Sequence, residues 1–392
     1  MIIEINGYSS EGDGVARLDD GRVAFVPNGV RGDVCRVIIT KNEKRFCRAK
    51  IVEIVTPSEH RVKPNCVHFG KCGGCDFRHI TREEELYAKR TRVNDALTRI
   101  GGFNLGVNEV LTANDDGYRN KIMLAINYKT ENTTVGLYRE GSRDILEIDR
   151  CPLAVGAINA AIGMVKQKVK RYDASKGIPE SVIIRKDTHG AAARLIKRDG
   201  NRMELLGKGS VEIKMGNFIF KSAMESFFQI NTEAAVVLYD KVKEFASLEK
   251  NEVLLDLYCG TGTIALYLAA EAKQVIGIDI DLGAIEDAKE NAAINGIENA
   301  RFIAADAASP EISDKTIDCV VVDPPRGGLN KETIEQIIKA NPLRVVYVSC
   351  DPANLARDMK LFEGYTPTKI CAIDMFPKTA HIETVSLLEK NT

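Results

Sequence analysis

A cysteine follows a short apolar run near the carboxyl end of the chain. Residues 345–348 (VVYV) have the length and composition of a buried strand in a parallel sheet, and Ser349 and Cys350 end it. Asp351 and Pro352 then predict a turn into a helix. Because open α/β sheets bind ligands beyond the carboxyl ends of their strands, Cys350 is a candidate nucleophile. Taken by itself, a role as a small buried apolar residue would be the commoner one.

Three predicted strands earlier in the chain end in a glycine turn and two acidic residues. The sequence DLYCGTGT places Gly260 and Gly262 where the main chain can approach a ligand closely. Asp279 ends the second of these strands and can bind the two hydroxyls of a ribose, and Asp306 follows the third and can reach an adenine amino group. Ala265 replaces the third glycine of the dinucleotide fingerprint, and the absence of Gly-Lys-Ser/Thr excludes a phosphate loop. This layout predicts a site for S-adenosylmethionine.

The fourth predicted strand ends in DPPRGG, which begins with Asp323. Methyltransferases that act on adenine or cytosine amino groups also end this strand with an acidic or amide residue and two prolines. They usually continue with an aromatic ring that stacks on the base, whereas Arg326 and two glycines follow here. They also need no cysteine nucleophile, so a strand that ends in Cys350 separates this chain from them. The tail adds FPKTAHIE, in which Glu383 would by itself be taken for a surface carboxylate.

Three cysteines lie within ten residues, in the segment CVHFGKCGGC that begins at Cys66. The glycines let the main chain fold tightly around an ion or a cluster. Thiolates select zinc or an iron–sulfur cluster, and either normally takes four ligands. A zinc ion could take its fourth ligand from His68 or His79, and Cys151 is a more distant candidate. The spacing differs from that of radical-generating enzymes, so it favours a structural or substrate-contacting metal centre.

Length and composition are those of a protein with several domains. A chain of 392 residues predicts two or three, because single cores rarely exceed ~250–300 residues. No apolar run approaches the ~20 residues of a membrane helix, and residues 1–10 lack the pattern of a signal peptide. We therefore expect a cytoplasmic protein with no membrane partner. In that compartment ten cysteines indicate metal binding or catalysis rather than disulfides.

Positive charge is concentrated in one part of the chain although the net charge is only −1. Residues 31–63 contain nine Lys or Arg against four Asp or Glu, which fits contact with nucleic acid and also fits a solvated surface. Aromatic and cationic residues also come together further on, where they could contact RNA or form an ordinary exposed sheet face. These residues are Tyr118, Arg119, Lys121, Tyr138, Arg139 and Arg143.

Three domains are expected. Residues 1–58 contain five short predicted strands separated by turns, which indicates an OB-like barrel of the kind that binds RNA or, in other proteins, protein. Residues 59–225 predict a β-rich domain that carries the cysteine segment, with a helix at 82–100 that can pack on the catalytic domain. From 226 to 392 strands and helices alternate, which predicts a doubly wound, Rossmann-like, largely parallel sheet. The fold class is therefore α/β with a β-rich amino-terminal half.

Several motifs together resemble the RNA uracil-C5 methyltransferase family. DPPRGG, VVYVSCDP and MFPKTAHIE match its signatures in order and spacing, and DLYCGTGT and FFQIN fit its cofactor site. Asp351 and Asn354 stand where Asn and Thr are expected, and Lys378 replaces a Gln-like residue. Residues 1–58 resemble the TRAM domain of the branch that modifies 23S rRNA. Four cysteines resemble the ligands of the [4Fe–4S] cluster in that branch: Cys66, Cys72, Cys75 and Cys151.

The resemblance implies a covalent mechanism. Uracil C5 is a weak nucleophile, and addition of the Cys350 thiolate to C6 creates an enolate whose C5 can attack the sulfonium methyl. Glu383 would then remove the C5 proton, and Asp323 would bond the target base or orient the reacting groups. The uridine must be flipped out or single-stranded to reach such a site. The residues carried over as cofactor contacts are Gln229, Tyr258, Gly260, Thr263, Asp279, Asp306 and Asp323.

The substrate expected from the resemblance is 23S rRNA, because the tRNA branch generally lacks both the cluster and the barrel. A tRNA uracil-C5 methyltransferase is the first alternative. The second is a non-catalytic RNA-binding protein with an iron–sulfur scaffold. Retention of Cys350, Asp323 and Glu383 together argues against this second alternative. No obligate protein partner is inferred.

Overall fold

The computed structural model describes residues 1–129, 131–309 and 316–391, and the chain divides into two compact units. The first unit consists of Met1–Arg92, Tyr138–Leu146 and Phe376–His381. The second consists of Val93–Leu137, Glu147–Met375 and Ile382–Thr392. Each unit is thus assembled from separate stretches of the chain, and the short tail segment Phe376–His381 belongs to the first unit although its flanking residues belong to the second.

The amino-terminal part of the first unit is a sheet of short strands. Its strands are β1 (Ile2–Glu4), β2 (Gly7–Tyr8), β3 (Gly14–Arg17), β4 (Val23–Val26), β5 (Val34–Asn42) and β6 (Phe46–Thr56). They pair in the order β1-β5-β6-β4-β3-β2, antiparallel except where β4 meets β6. Alternate side chains of β4 are buried, as the twofold period of a strand requires. The β-rich amino-terminal part of the predicted fold is confirmed.

Helix α1 (Arg82–Asp95) lies where the sequence predicts a helix. The hydroxyl of Thr81 accepts the N–H of Glu84 at 3.3 Å, which is the bond that an N-cap makes. A π-helical turn, Ala96–Gly101, continues the helix, and Gly102 ends it in the left-handed conformation (φ 73°). Turn chemistry therefore sets both ends of this helix.

Within the first unit, α1 fixes the tail segment Phe376–His381. The buried side chains of Glu85 and Lys89 pair at 2.8 Å, and Glu85 also accepts the main-chain N–H of Lys378 at 2.6 Å. Lys89 donates to the carbonyl of Phe376 at 3.1 Å. Although burial alone would raise the pKa of Glu85, nearby cations, Lys89 foremost, lower this pKa below its ordinary value. An ionised, buried pair thus holds the segment that precedes the last strand.

The second unit begins with a β-rich part. Its strands, together with those at its borders, are β7 (Val110–Leu111), β8 (Lys121–Asn127), β9 (Thr134–Tyr138), β10 (Ile145–Glu147), β11 (Pro179–Asp187), β12 (Gly190–Lys197), β13 (Arg202–Leu206), β14 (Ser210–Met215) and β15 (Phe218–Ala223). An antiparallel sheet runs in the order β9-β8-β11-β12-β13, and β14 and β15 form a hairpin. Helix α2 (Gly156–Lys170) buries residues at helical spacing against β11 and β12: Ile158, Ile162, Val165 and Val169.

The rest of the second unit is a doubly wound sheet. Its strands are β16 (Val253–Leu257), β17 (Gln274–Asp279), β18 (Ala300–Ala304), β19 (Cys319–Val322), β20 (Arg344–Ser349), β21 (Tyr365–Ile373) and β22 (Glu383–Lys390). Its helices are α3 (Thr232–Ala246), α4 (Thr263–Leu268), α5 (Leu282–Ile294), α6 (Lys331–Ala340) and α7 (Pro352–Met359). The strand order is β18-β17-β16-β19-β20-β22-β21-β7. The predicted Rossmann-like fold is confirmed.

Strand direction decides which residues meet at the edge of this sheet. Strands β16 to β20 are parallel, whereas β22 runs antiparallel to both β20 and β21. The central strands β19 and β20 are buried apolar runs, as coverage by helices on both faces requires. Their carboxyl ends therefore share an edge with the amino end of β22. Among the residues that the structure describes, no helix is long and apolar enough to cross a membrane.

Candidate active site

The predicted nucleophile and base are neighbours across two paired strands. Cys350 follows β20 directly, and Glu383 is the first residue of β22. Ser349 pairs with Thr384 in the antiparallel register, and the Thr384 hydroxyl donates to the Ser349 carbonyl at 2.9 Å. One further step along this register brings Cys350 opposite Glu383. The antiparallel direction of β22 is what brings a tail residue to the edge formed by parallel strands.

Asp323 reaches the same edge from the neighbouring strand. It follows β19, which lies between β16 and β20, and its N–H approaches the Leu257 carbonyl at 3.4 Å. Burial raises the pKa of Asp323 to about 7. The Glu383 side chain is 5% exposed, and its pKa is raised well above the ordinary range, first by burial and then by the Asp323 carboxyl. The two acids therefore resist being ionised together.

The Cys350 thiol shares this environment. Its pKa is raised to about 11, mainly by burial and then by the charge of Glu383. The guanidinium of Arg326 acts in the opposite direction and lowers the pKa of both Cys350 and Glu383. Sequence reasoning had treated Arg326 as a departure from the amino-methyltransferase pattern and gave it no role. Its position in DPPRGG, three residues after Asp323, was the available signal.

Helix α7 fixes the loop that carries Arg326. Asn354 donates to the Arg326 carbonyl at 2.7 Å, and Arg357 donates to the Gly327 carbonyl at 2.9 Å. Asp358 accepts the N–H of Leu329 at 2.8 Å. The helix itself starts immediately after Cys350, with Asp351 accepting the N–H groups of Ala353 and Asn354 at 2.9 and 3.0 Å. The loop with Arg326 and the turn with Cys350 are thus tied to one helix.

The glycine turn after β16 has the shape of a ligand cradle. Tyr258, Gly260 and Gly262 all have positive φ (64°, 52° and 80°), which holds the main chain in a tight turn. A Cβ on Gly260 would meet no atom within 4 Å, so the main chain here faces open space. Asp279 accepts the Gly260 N–H at 2.9 Å and the Asp281 N–H at 2.9 Å, which fixes its carboxylate beside that space. An open main-chain turn beside a fixed carboxylate suits the binding of S-adenosylmethionine.

The remaining predicted cofactor residues also lie in the second unit. Thr263 begins α4, and its hydroxyl lies 2.9 Å from that of the buried Tyr239. Gln229 is buried and its carbonyl accepts the Asn120 side chain at 2.8 Å. Asp306 is exposed after β18, and its carboxylate accepts the Ala308 N–H at 2.9 Å. Phe227, two residues before Gln229, is 75% exposed, and sequence reasoning gave this ring no role of its own.

The predicted metal ligands are divided between the units. Cys66, Cys72 and Cys75 lie half-buried in the first unit, and Cys151 lies half-buried in the second, where its N–H is bonded to the Asn159 side chain at 2.9 Å. Across residues 1–129, 131–309 and 316–391, no three His, Cys, Asp or Glu side chains are grouped as a metal site. The predicted [4Fe–4S] centre therefore remains a prediction.

Comparison with known proteins decides the family. A family model described as tRNA (uracil-5-)-methyltransferase matches residues 202–391, and a TRAM domain model matches residues 1–52. A 23S rRNA (uracil(1939)-C(5))-methyltransferase of a Marinomonas species is 32% identical, with 100% of this chain and 95% of that protein covered. The chain belongs to the RNA uracil-C5 methyltransferase family. An uncharacterized RNA methyltransferase of Clostridium tetani is 34% identical over 98% of this chain and 95% of that one.

A solved structure agrees with the family assignment. The Pyrococcus abyssi tRNA (uracil-54, C5)-methyltransferase, in complex with S-adenosyl-L-homocysteine, superposes with a TM-score of 0.79 at 28% identity. The match covers 99% of this chain and 100% of that one. The protein is therefore an S-adenosylmethionine-dependent RNA (uracil-C5)-methyltransferase, and its substrate is RNA.

Proposed function

We propose that this methyltransferase modifies a uridine of 23S rRNA through a covalent adduct of Cys350. The observation that carries the mechanism is the meeting of Cys350, Asp323 and Glu383 at one sheet edge, beside the Gly260 turn. A thiol, a buried acid and a cofactor turn are the parts that methylation of a weakly nucleophilic carbon needs. An amino-group methyltransferase would need no thiol.

The proposed steps follow from the chemistry of the uracil ring. The Cys350 thiolate adds to C6, and the electron pair of the C5–C6 bond moves to form an enolate. S-adenosylmethionine, when bound, would supply a sulfonium methyl group; the methyl passes to C5 as its bond to sulfur breaks, and S-adenosylhomocysteine is the leaving group. C5 then carries both a proton and the new methyl. Glu383, as a carboxylate, takes that proton, the C5–C6 double bond forms again, and the Cys350 thiolate leaves.

The two neighbouring side chains have proposed supporting roles. Arg326 favours the thiolate form of Cys350 and the carboxylate form of Glu383, since it lowers both pKa values. Asp323, with its pKa near 7, can carry a proton at neutral pH and donate a hydrogen bond to a carbonyl of the uracil. The cofactor contacts proposed are Gln229, Tyr258, Gly260, Thr263, Asp279, Asp306 and Asp323.

The choice of 23S rRNA is supported by the Marinomonas relative, whose name gives that substrate. A tRNA substrate is the second candidate, because the Pyrococcus tRNA enzyme matches 99% of this chain. That coverage includes almost the whole amino-terminal region, so the barrel does not by itself distinguish the two RNAs. Transcripts of 23S rRNA domains and of tRNAs, labelled with tritium at uracil C5, provide the test. Methylation releases this tritium to water, and release from tRNA transcripts alone would overturn the rRNA proposal.

We also propose, from the family resemblance, that Cys66, Cys72, Cys75 and Cys151 bind a [4Fe–4S] cluster. Three thiols within ten residues form a soft donor set, and a Cβ on Gly74 would already lie 3.4 Å from the Cys72 sulfur. No step of the reaction passes through this centre. Protein purified without oxygen should absorb near ~400 nm, where iron–sulfur charge transfer lies, and should contain iron and sulfide. One equivalent of zinc without iron would contradict the proposal.

A further inference from the structure

One short stretch connects the β-rich part of the second unit to the proposed cofactor contacts. Strand β15 ends at Ala223, and residues 224–231 lead to helix α3. This stretch contains Phe227 and Gln229. Two cationic side chains bond its main-chain oxygens. Arg185 donates to the carbonyls of Ala223 and Ser226 at 2.6 and 3.1 Å.

Lys121 makes the second set of bonds to the same stretch. Its ammonium donates to the carbonyl of Glu225 at 3.0 Å and approaches that of Ser226 at 3.4 Å. The Glu225 carboxylate is in turn paired with Arg194 and Arg202, each at 2.7 Å. Strands β8, β11, β12 and β13 thus each contribute one cation to the stretch that precedes Phe227. The sequence analysis gave Lys121 as an RNA contact or part of an exposed sheet face, and the structure shows that its ammonium bonds main-chain oxygens of the protein.

Removing these two cations from water, completely for Arg185 and partly for Lys121, carries a desolvation cost. Arg185 is fully buried, and burial lowers its pKa to about 10. Burial and the neighbouring Arg185 lower the pKa of Lys121 to about 8. Among the described residues, the Nε and Nη2 atoms of Arg185 have no hydrogen-bond partner. Because a buried charge with incomplete bonding is often less stable than an apolar side chain of similar size, stability alone does not explain this pair.

The location of Arg185 and Lys121 beside residues 223–229 explains their presence better than stability does. Arg185 lies 5.8 Å from the ring of Phe228, which is 2% exposed, so the same guanidinium holds the carbonyls before this residue and packs on its side chain. Phe227 and Gln229 lie on either side of this fixed point in the chain. The carbonyl of Gln229 is bonded to Asn120, the neighbour of Lys121 in sequence. The direction in which these two side chains project therefore depends on bonds made at residues 223–226 and at 229.

We propose that Lys121 and Arg185 are positioning residues for cofactor binding: they fix residues 223–226 so that Phe227 and Gln229 are presented to S-adenosylmethionine. This rests on the proposed cofactor contact of Gln229. Neither cation touches the reacting atoms. Loss of either one leaves all proposed reacting groups in place and changes only how precisely the connecting stretch is held.

The test compares affinity with stability in the full-length protein. Titration calorimetry with S-adenosylhomocysteine would measure Kd for Arg185→Met and Lys121→Met, and thermal unfolding would measure Tm. We expect Kd to rise about tenfold, the scale of a lost charged hydrogen bond, and Tm to fall no further than in Lys166→Met, which also leaves a main-chain oxygen without its donor. Arg185→Lys should recover part of the affinity because an ammonium can reach one carbonyl. Lys166→Met is the matched control, since Lys166 also donates to a main-chain oxygen (Ile148, 3.1 Å) in this unit.

Gln229→Ala separates this proposal from the one on which it rests. If Gln229→Ala and Arg185→Met both weaken binding and Lys166→Met does not, both proposals are supported. If Arg185→Met weakens binding but Gln229→Ala does not, the positioning role is supported through Phe227 and the assignment of Gln229 falls. Wild-type Kd in both Arg185→Met and Lys121→Met would overturn the positioning role. Equal loss of Tm and affinity in all three methionine variants, Lys166→Met included, would also overturn it.

Discussion

Acidic side chains at the two halves of the catalytic sheet edge are held in opposite ways. On the cofactor side, defined by Gly260 and Asp279, the Asp279 carboxylate accepts two main-chain N–H groups at 2.9 Å. On the target side, defined by Asp323, Cys350 and Glu383, burial raises the pKa of both acids, and the Asp323 carboxyl raises that of Glu383 further. A carboxylate held in place by N–H donors suits the binding of a ligand. A carboxylate that gains stability on taking a proton suits proton transfer.

Removal of the Cys350 thiol is the strongest test of this difference between the cofactor side and the target side. Cys350→Ala should lower the methylation rate by ~10⁴-fold or more, because no other group on the target side can add to C6. Binding of S-adenosylhomocysteine should stay within a factor of two, about the reproducibility of such a titration. The measurement is methyl transfer from labelled cofactor, alongside calorimetry of the same preparation.

Cys371→Ala provides a matched control for that substitution. Cys371 is also half-buried, lies on β21, and has a pKa raised to about 11 by burial. It lies within its strand rather than directly after the carboxyl end of one, and it is not among the target-side residues. The comparison would fail if both alanine variants lost activity alike, or if Cys350→Ala retained more than a small fraction of turnover.

Removing the base should stop the reaction at a later point. Glu383→Gln keeps the shape of the side chain but cannot take the C5 proton, so turnover should fall by about 10²–10⁴-fold. The methylated uracil should then remain joined to Cys350. A band of RNA-linked protein on a denaturing gel would record this adduct, and tritium at C5 should be retained in it.

Glu389→Gln is the control on the same strand. Glu389 is exposed at the far end of β22, opposite Arg344 in the register with β20. It should turn over as wild type and show no lasting adduct. Loss of turnover in Glu383→Gln with full release of tritium would assign proton removal to another group.

The pH profile sharpens the comparison further. Because the Cys350 pKa is raised to about 11, the thiolate fraction should rise about tenfold per pH unit across the neutral and mildly alkaline range. A raised Glu383 pKa acts in the same direction, since the base must be ionised. We therefore expect kcat/KM to increase with pH. Arg326→Met should move this rise to higher pH, because the guanidinium lowers both pKa values.

An unchanged profile for Arg326→Met would remove Arg326 from the electrostatics of the target side. Lys360→Met serves as the control, since Lys360 follows α7 and donates to the carbonyl of Ile100 at 3.4 Å. Its profile should follow that of the wild type. The readout is kcat/KM at saturating cofactor, measured with the same RNA across the pH range.

The residues that the sequence alone can predict and those that the structure brings together differ most on the target side. Cys350 and Asp323 could be located from sequence because each ends an apolar run, and runs of this kind form parallel strands whose carboxyl ends share an edge. Glu383 could not, since its place depends on β22 running antiparallel to β20, which no local pattern specifies. The effect of Arg326 on the pKa of Cys350 and Glu383 likewise depends on how the chain packs. Only the resemblance to a family brought Glu383 into the predicted site.

The cofactor side was more accessible to sequence reasoning. A glycine turn and an acid at successive strand ends are local signals, and the structure places Gly260 and Asp279 in direct contact at 2.9 Å. The supporting cations were not accessible, because each lies far along the chain from its partners: Lys121 bonds the Glu225 carbonyl across 104 residues, and Arg185 bonds the Ala223 carbonyl across 38 residues. Contacts of long sequence separation leave no periodic trace.

The smallest expected effect concerns Asp279. Asp279→Asn should weaken S-adenosylhomocysteine binding about tenfold, because a neutral amide loses the charge-assisted bonds that a carboxylate makes with hydroxyl groups. The rate at saturating cofactor should change much less, since Asp279 is not among the target-side residues. Single-turnover methylation across a range of cofactor concentrations would separate the two quantities.

Asp281→Asn tests whether charge alone accounts for that effect. Asp281 lies two residues away and caps α5 by accepting the N–H groups of Gly283 and Ala284 at 2.8 and 3.2 Å. Asparagine is a comparable cap, so this variant loses the same charge and keeps its fold. If both variants weaken binding equally, the cofactor side acts through its overall negative charge. If only Asp279→Asn weakens binding, the cofactor side acts through a carboxylate held in position by N–H donors. That result would set Asp279 apart from Glu383, whose raised pKa favours taking a proton.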